Sequence, residues 1–172
     1  MAENSDIESK THLGDIFLPQ KTFCTLPPEF SNPIQRIFLT ANGNLQRLLS
    51  SYYNLPVSVD ILYNQKILPS DTNPKVTFDR KVNLVCNNKT VCIAESKIYL
   101  LSDKATDLII NQKVGIAQFF RYRNSFPDFV LLSAKSNPDN SFQRSYILKT
   151  SDLECHIDEY FVPGMLELSF VQ

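Results

Sequence analysis

The chain has 172 residues, of which 43% are hydrophobic and 11% aromatic, and its formal net charge at pH 7 is -1. This length predicts one domain with a sizeable core, and the hydrophobic content excludes a disordered chain. The balanced charge offers no electrostatic attraction to nucleic acid, and the sequence has no apolar run of about 18 residues, so we expect no membrane span.

The N-terminal part is polar and acidic up to Lys21, whereas an export signal or a transit peptide begins with basic residues. We therefore expect the protein to work in the compartment where it is made. Residues 1–30 are predicted to form a tail with a flexible tip, followed by a segment that packs on the domain. Residues 31–172 are predicted to form that domain.

Two helices are predicted after this tail. Apolar residues recur at helical spacing from Pro33 to Phe38, the segment 41–44 breaks the chain, and a second apolar stripe runs from Leu45 to Tyr53. An Asn of the intervening turn is suited to cap the second helix. The pair lacks the basic surface of a DNA-binding helix-turn-helix, so we expect no nucleic-acid partner.

Three strands follow in the predicted order. Residues 57–63 alternate as in a half-buried strand, 69–74 form a polar loop, and Val76 to Cys86 alternates so that Arg80 shares an apolar face. The hairpin loop 87–89 then leads to a strand over 90–99.

The rest of the chain predicts two helical segments and three strands. Ser102 or Asp103 caps a helix that runs to about Asn111, and Gly115 opens or interrupts a second helical segment over 114–121. A strand over 128–133, a turn over 137–140 and two strands joined by residues 149–152 complete the domain. This order predicts an α+β fold with a central antiparallel sheet of about six strands.

Three charged residues fall on apolar strand faces, namely Arg80, Arg144 and Glu159. Each alone is explained by a salt bridge or a sheet edge. Together on neighbouring strands they indicate a polar pocket for a small anion, because unpaired buried charges are costly. Glu95 either joins this cluster or lies at a solvated edge, and His156 faces away from Glu159, which predicts a surface position.

Other kinds of site have little support in the sequence. The cysteines show no CxxC spacing and the two histidines are far apart, so we expect free thiols and no metal site. No Gly-x-Ser-x-Gly elbow, phosphate-binding loop or dinucleotide fingerprint is present, which argues against a serine hydrolase, a kinase and an oxidoreductase.

Several short segments, in their order and spacing over about residues 33–165, resemble the chorismate lyase family, in particular its divergent cyanobacterial and red-algal plastid branch. These segments are Phe38-Leu-Thr-Ala-Asn-Gly-Asn-Leu-Gln-Arg-Leu-Leu49, Arg80-Lys-Val-Asn-Leu84, Ala94-Glu-Ser96, Val114-Gly-Ile-Ala-Gln-Phe-Phe120, Arg144-Ser-Tyr146 and Ile157-Asp-Glu-Tyr-Phe-Val-Pro163.

The resemblance implies helical flaps over an internal ligand cavity, and a non-hydrolytic conversion of chorismate to 4-hydroxybenzoate and pyruvate, a step towards quinone precursors, without metal or organic cofactor. It assigns the ring carboxylate to Arg80 and the backbone N–H of Val114, and the ring hydroxyl to Glu159, with Arg80 and Glu159 as the catalytic pair. Arg144 is assigned to the enolpyruvyl carboxylate, and the turns at Asn44 and Gly115 to substrate binding.

The resemblance also implies a cytoplasmic or plastid-stromal protein, a monomer or small homo-oligomer, whose partners are chorismate and its aromatic product. The turn Asn42-Gly-Asn-Leu45 and the segment Lys113-Val-Gly115 depart from the better-known bacterial enzymes. Two alternatives remain. The first is a non-catalytic aromatic-carboxylate sensor, although the roughly 30 residues before the domain are too few to form the DNA-binding domain of a regulator. The second is an interaction protein whose charges are structural.

Overall fold

The architecture, seen in a computed structural model that describes residues 13–69, 77–112 and 114–168, is an α+β fold built on a six-stranded antiparallel sheet. β1 (Gly14–Leu18) and β2 (Lys21–Thr25) pair only with each other. The sheet has the order β3-β4-β5-β8-β7-β6. Its strands are β3 (Val57–Ile67), β4 (Thr77–Cys86), β5 (Lys89–Leu100), β6 (Asp128–Ser136), β7 (Phe142–Lys149) and β8 (Leu153–Phe161). The predicted fold class is confirmed.

Tight turns set the register of the sheet. Asn87 and Asn88 lie at φ values of 45° and 62° between the paired residues Cys86 and Lys89. Positive φ at both central residues is the geometry of a two-residue hairpin turn that follows strand twist, and Asn tolerates it better than most residues. The turn between β7 and β8 is held by Thr150, whose hydroxyl accepts bonds from two following backbone N–H groups.

The helices begin and end close to the predicted positions. α1 (Pro33–Leu39) is capped by Asn32, whose Oδ1 accepts a bond from the Ile34 backbone N–H. α2 (Leu45–Tyr53) starts after Asn44, but the Asn44 side chain makes no capping bond. Ser102 caps the next helix. The remaining helical elements are α3 (Asp103–Thr106), its π-helical continuation Asp107–Asn111, α4 (Ile116–Tyr122) and a C-terminal 3-10 turn, Met165–Glu167.

The core lies between α1, α2 and one face of the sheet. Phe38 of α1 stacks on Phe161 of β8 with ring centroids 6.1 Å apart, and Phe161 stacks on Phe142 of β7 at 4.4 Å. These rings and Leu49 are at most 2% exposed. Burying each such side chain contributes about 1.5–3 kcal/mol, so this contact holds the helices on the sheet.

β8 separates its two faces as its alternation predicts. Its odd-numbered residues, Leu153 to Phe161, are all buried on the helix side, including the carboxylate of Glu159. The even-numbered residues on the other face are at least partly exposed. The covered face therefore contains the charged residue Glu159, which is paired with Arg144 on the neighbouring strand β7.

β3 differs from the half-buried strand predicted over 57–63. It is an edge strand that continues to Ile67, and only Val57 is buried. A bulge between Ile61 and Tyr63 shifts the register, so the residues beyond it exchange faces. Because an edge strand lacks a neighbour on one side, its apolar residues stay more exposed than those of a central strand.

The N-terminal region contains a hairpin that the sequence did not predict. β1 and β2 meet at Pro19 and Gln20, a pair that lacks the Gly or Asn of most recognisable hairpin turns. Leu26 and Phe30 after it are buried in the core. Residues 1–12 at the start of the predicted tail, most of the predicted loop 69–74, and Val76 lie outside the described residues. No helix among the described residues is long and apolar enough to cross a membrane.

Candidate functional site

A cavity of about 370 Å³ lies between the sheet and the starts of α2 and α4. This volume falls within the range of about 300–1,000 Å³ that is common for small-molecule sites. Its walls are mostly apolar, with a few charged and polar side chains. The lining residues are Gly43, Leu45, Gln46, Val59, Ile61, Arg80, Val82, Leu84, Ala94, Ser96, Gly115, Ile116, Gln118, Phe120, Tyr146, Leu148, Ile157 and Glu159.

Strand register brings Arg80 and Glu159 to the same wall. Arg80 on β4 pairs with Ser96 on β5, and Glu159 on β8 pairs with Ala94 on β5. Directly paired residues of antiparallel strands project to the same face, so all four side chains point to the helix side. Ala94 and Ser96 are small, which leaves open space between the guanidinium and the carboxylate.

Arg80 is a half-buried cation that pairs with no carboxylate of the described residues. Its Nε makes no hydrogen bond, and no ion pair to Arg80 occurs among residues 13–69, 77–112 and 114–168. Burial lowers the pKa of Arg80, although a guanidinium stays protonated in proteins. A desolvated cation without a partner is costly, and an anionic ligand would relieve that cost.

Glu159 is a buried carboxylate held on both oxygens. Its Oε2 accepts a bond of 2.7 Å from Nε of Arg144, and its Oε1 accepts a bond of 2.9 Å from the Tyr146 hydroxyl. Burial and the nearby Glu159 charge raise the pKa of Tyr146 well above its usual value, so the hydroxyl remains a donor. Glu159 therefore presents a fixed acceptor to the cavity.

Arg144 lies behind Glu159 and is not among the residues that line the cavity. Its Nη1 donates to the carbonyl oxygens of Leu39 and Ala41, at 2.9 and 2.7 Å. Burial acts to lower the pKa of Arg144, but the charge and hydrogen bond of Glu159 and the nearby Tyr146 raise it overall. Nε and Nη1 are therefore engaged by protein acceptors, whereas the buried Nη2 has no partner among the described residues. The contact of Arg144 with the enolpyruvyl carboxylate stays a prediction.

The flap residues occupy different positions around the cavity. Gly115 lines it, whereas Asn44 and Val114 are neighbours of lining residues. The Val114 backbone N–H donates to the Leu108 carbonyl at 3.0 Å, so the predicted bond to a ring carboxylate would have to replace this one. The Asn44 Oδ1 is buried and has no partner among the described atoms.

The structure separates two further charged residues from this site. Glu95 lies on the opposite face of the sheet and pairs with Lys81 at 2.6 Å, with its side chain 53% exposed, so it does not join the cluster. His156 is on that same face and contacts Glu154 at 2.7 Å. Its predicted surface position is confirmed.

Several lining residues were not selected from the sequence. Strand alternation does place Tyr146 on the face of Arg144, and Ser96 on the face of Ala94. Neither residue stands out in the sequence, because neither puts a charge on an apolar face. Gln46 and Gln118 come from α2 and α4. Alternation along strands gives no information about which helical residues close over a sheet.

The four cysteines are free thiols in the described structure, and they form no metal-binding cluster there. Cys86, Cys92 and Cys155 are buried free thiols, and Cys24 is partly buried. Burial and a bond to Asp15 raise the pKa of Cys24 to about 11, so its thiol stays protonated at neutral pH. Within the described segments, no cluster of His, Cys, Asp and Glu could hold a metal ion.

The fold and the site define an α+β protein whose cavity is lined by an anchored carboxylate and by a guanidinium that has no ion pair within the described part of the chain. No protein-family model matches the chain, and no curated protein matches it. Among solved structures, the possible transcriptional regulator YydK from Bacillus subtilis subsp. subtilis str. 168 is similar, with a TM-score of 0.42 and 12% identity. The match covers 69% of this chain and 64% of that one, and a likeness this distant supports no argument about function.

Proposed function

We propose that the protein is a lyase that converts chorismate to 4-hydroxybenzoate and pyruvate in the cavity between the sheet and α2 and α4. The observation that carries this proposal is that Arg80, which has no ion pair among the described residues, and Glu159, fixed by two donors, face one cavity of about 370 Å³. The resemblance to chorismate lyases supplies the substrate. The geometry supplies two groups that suit the two ends of its ring.

In the proposed complex, Arg80 binds the ring carboxylate, because a guanidinium makes paired, charge-assisted hydrogen bonds with a carboxylate. The ring hydroxyl donates to Glu159. Apolar side chains such as Val82, Leu148 and Ile157 contact the ring faces. The two polar contacts fix the orientation of the ring, which is a major part of what catalysis requires here.

The reaction breaks the bond between the ring and the enolpyruvyl oxygen. A hydrogen leaves the ring carbon that bears the hydroxyl, the ring becomes aromatic, and enolpyruvate gains a proton as it becomes pyruvate. Glu159 takes up the ring hydrogen as a proton, or the hydrogen moves within the bound substrate. In either case the aromatic product drives the reaction, and the protein orients the substrate and stabilises developing charge.

One observation favours a second candidate, a non-catalytic domain that binds an aromatic monocarboxylate. Chorismate carries two carboxylates, whereas Arg80 is the sole Lys or Arg among the described residues that line the cavity. Arg144 does not line the cavity, and its Nε and Nη1 already bond Glu159 and two backbone carbonyls. A ligand with one carboxylate therefore matches the available cations more closely than a dicarboxylate does.

Incubation with chorismate tests both candidates. If 4-hydroxybenzoate and pyruvate form in equal amounts, the protein is the lyase, and binding without turnover supports the sensor. If chorismate and 4-hydroxybenzoate both fail to bind, the charges are structural and both candidates fall. Arg80→Ala should lose most of the turnover while the domain stays folded, and normal turnover in that variant would remove Arg80 from the site.

A further inference from the structure

Tyr146 is a cavity-wall residue to which neither the sequence nor the proposed reaction gives a role. Its side chain is 3% exposed, and its hydroxyl donates to Oε1 of Glu159. Buried tyrosines generally need one hydrogen-bond partner. Here that partner is the carboxylate of the candidate site, and Tyr146 itself forms part of the cavity wall.

Tyr146 and Arg144 bond different oxygens of Glu159. The Arg144 bond holds Oε2 alone, and the terminal torsion of a glutamate is broad and roughly two-fold, so one bond leaves the plane of the carboxylate poorly fixed. The second bond, from Tyr146, fixes that plane. A carboxylate has about four acceptor positions, so two donors leave room for a ligand.

We propose that Tyr146 is a positioning residue that turns the Glu159 carboxylate towards the cavity, where it accepts a hydrogen bond from a ligand hydroxyl. The inference rests on the proposed function, because it concerns the hydroxyl-bearing end of the same ligand. It makes Tyr146 a determinant of specificity, since Tyr146 controls recognition of the hydroxyl while Arg80 controls recognition of the carboxylate.

Tyr146→Phe isolates the hydroxyl from the ring. The Arg144 guanidinium lies 4.2 Å from the centre of the Tyr146 ring, and Phe129 packs on the same ring at 5.4 Å. Phenylalanine keeps both contacts and the volume of the side chain. The variant therefore removes one hydrogen bond to Glu159 while it leaves the shape of the wall unchanged.

The experiment compares the dissociation constants of 4-hydroxybenzoate and benzoate by titration calorimetry. The two ligands differ by one hydroxyl, so their affinity ratio reports the contact with Glu159. We expect the unmodified protein to bind 4-hydroxybenzoate about tenfold more tightly than benzoate. In Tyr146→Phe this preference should fall to about twofold, with the affinity for benzoate retained. A change in cavity shape would instead weaken the binding of both ligands by the same factor. An affinity ratio in Tyr146→Phe equal to that of the unmodified protein would overturn the inference.

Two further variants test whether Tyr146 acts through Glu159. Glu159→Gln should also lose the preference, and Tyr146→Phe added to it should produce no further change. A further loss would show that Tyr146 contacts the ligand directly, which contradicts a positioning role. Tyr160→Phe is the matched control, because Tyr160 is adjacent to Glu159 on β8 but lies on the opposite face, and it should keep the full preference.

The outcomes separate this inference from the proposed reaction. If chorismate is not converted but the preference for the hydroxyl still depends on Tyr146, the lyase proposal fails and the inference stands. If chorismate is converted and Tyr146→Phe leaves the affinity ratio unchanged, the inference alone fails. If the unmodified protein binds neither 4-hydroxybenzoate nor benzoate, the inference is overturned, and the lyase proposal falls with it only if chorismate also fails to bind.

Discussion

Arg144 and Arg80 lie on the same face of the sheet, yet their replacement should affect folding in opposite ways. Arg144→Met removes the ion-pair partner of Glu159, a residue that is only 6% exposed. It also removes the donor to the carbonyls of Leu39 and Ala41. Breaking a buried ion pair by removing one partner costs about 3–5 kcal/mol. For a chain of this length, that loss lowers the melting temperature by roughly 6–20 °C.

Arg80→Met removes a half-buried cation that has no ion pair within the described residues. The free energy of unfolding of this variant should therefore equal or exceed that of the unmodified protein. Urea unfolding followed by circular dichroism measures both variants at pH 7. The slope against urea concentration should not change, which would show that the denatured states are comparable. A loss below about 1 kcal/mol for Arg144→Met would refute the account of a buried pair.

A double variant guards against complete unfolding of Arg144→Met. Arg144→Met combined with Glu159→Met replaces both partners by apolar groups, which is often nearly neutral. We expect the double variant to recover a large part of the lost stability, although Tyr146 and two carbonyls lose their partners. A double variant less stable than Arg144→Met would show that the charge left on Glu159 is not the cause of the loss.

Two further predictions concern folding. The bond from Arg123 holds the pKa of Asp152 below its usual value, so the stability from this pair is present above about pH 4 and is lost as pH falls through the lower, folded-state pKa. Asp152→Asn should therefore be less stable by up to about 1 kcal/mol at pH 7 and equal to the unmodified protein near pH 2 in thermal melts; a gap that persists in acid would contradict this. Asn88→Ala should lower the free energy of unfolding by about 1–2 kcal/mol, because residue 88 has a φ of 62°. Asn88→Gly should be neutral or stabilising, so equal urea midpoints for the two variants would contradict the turn assignment.

Much of the fold follows from local signals in the sequence. Alternation along β8 predicts that Glu159 shares a buried face with Ile157 and Phe161, and the Asn87-Asn88 pair predicts the hairpin that joins β4 and β5. These signals are local because alternation and turn chemistry depend on residues close together in the chain. They therefore predict which face of its own strand each charged side chain occupies. The order and register of β4, β5 and β8, which place Arg80 and Glu159 on one wall, are non-local.

The hydrogen-bond partners of the polar groups could not be predicted from such local signals. Arg144 shares the face of Glu159, but its partners include the carbonyls of Leu39 and Ala41, about a hundred residues earlier in the chain. The Val114 N–H is used by Leu108 within a π-helical segment that the sequence does not reveal. The bulge at Ile61 similarly depends on pairing with β4. Each of these contacts is decided by three-dimensional packing.

The small residues of β5 have a consequence for how the interior can adapt to different molecules. Ala94 and Ser96 belong to a strand hydrogen-bonded on both sides, so its backbone cannot retreat to admit a larger guest. A leucine in place of Ala94 would fill the hollow with the chain's own atoms. At this wall, the side-chain volumes at positions 94 and 96 therefore determine the size of the ligand that fits.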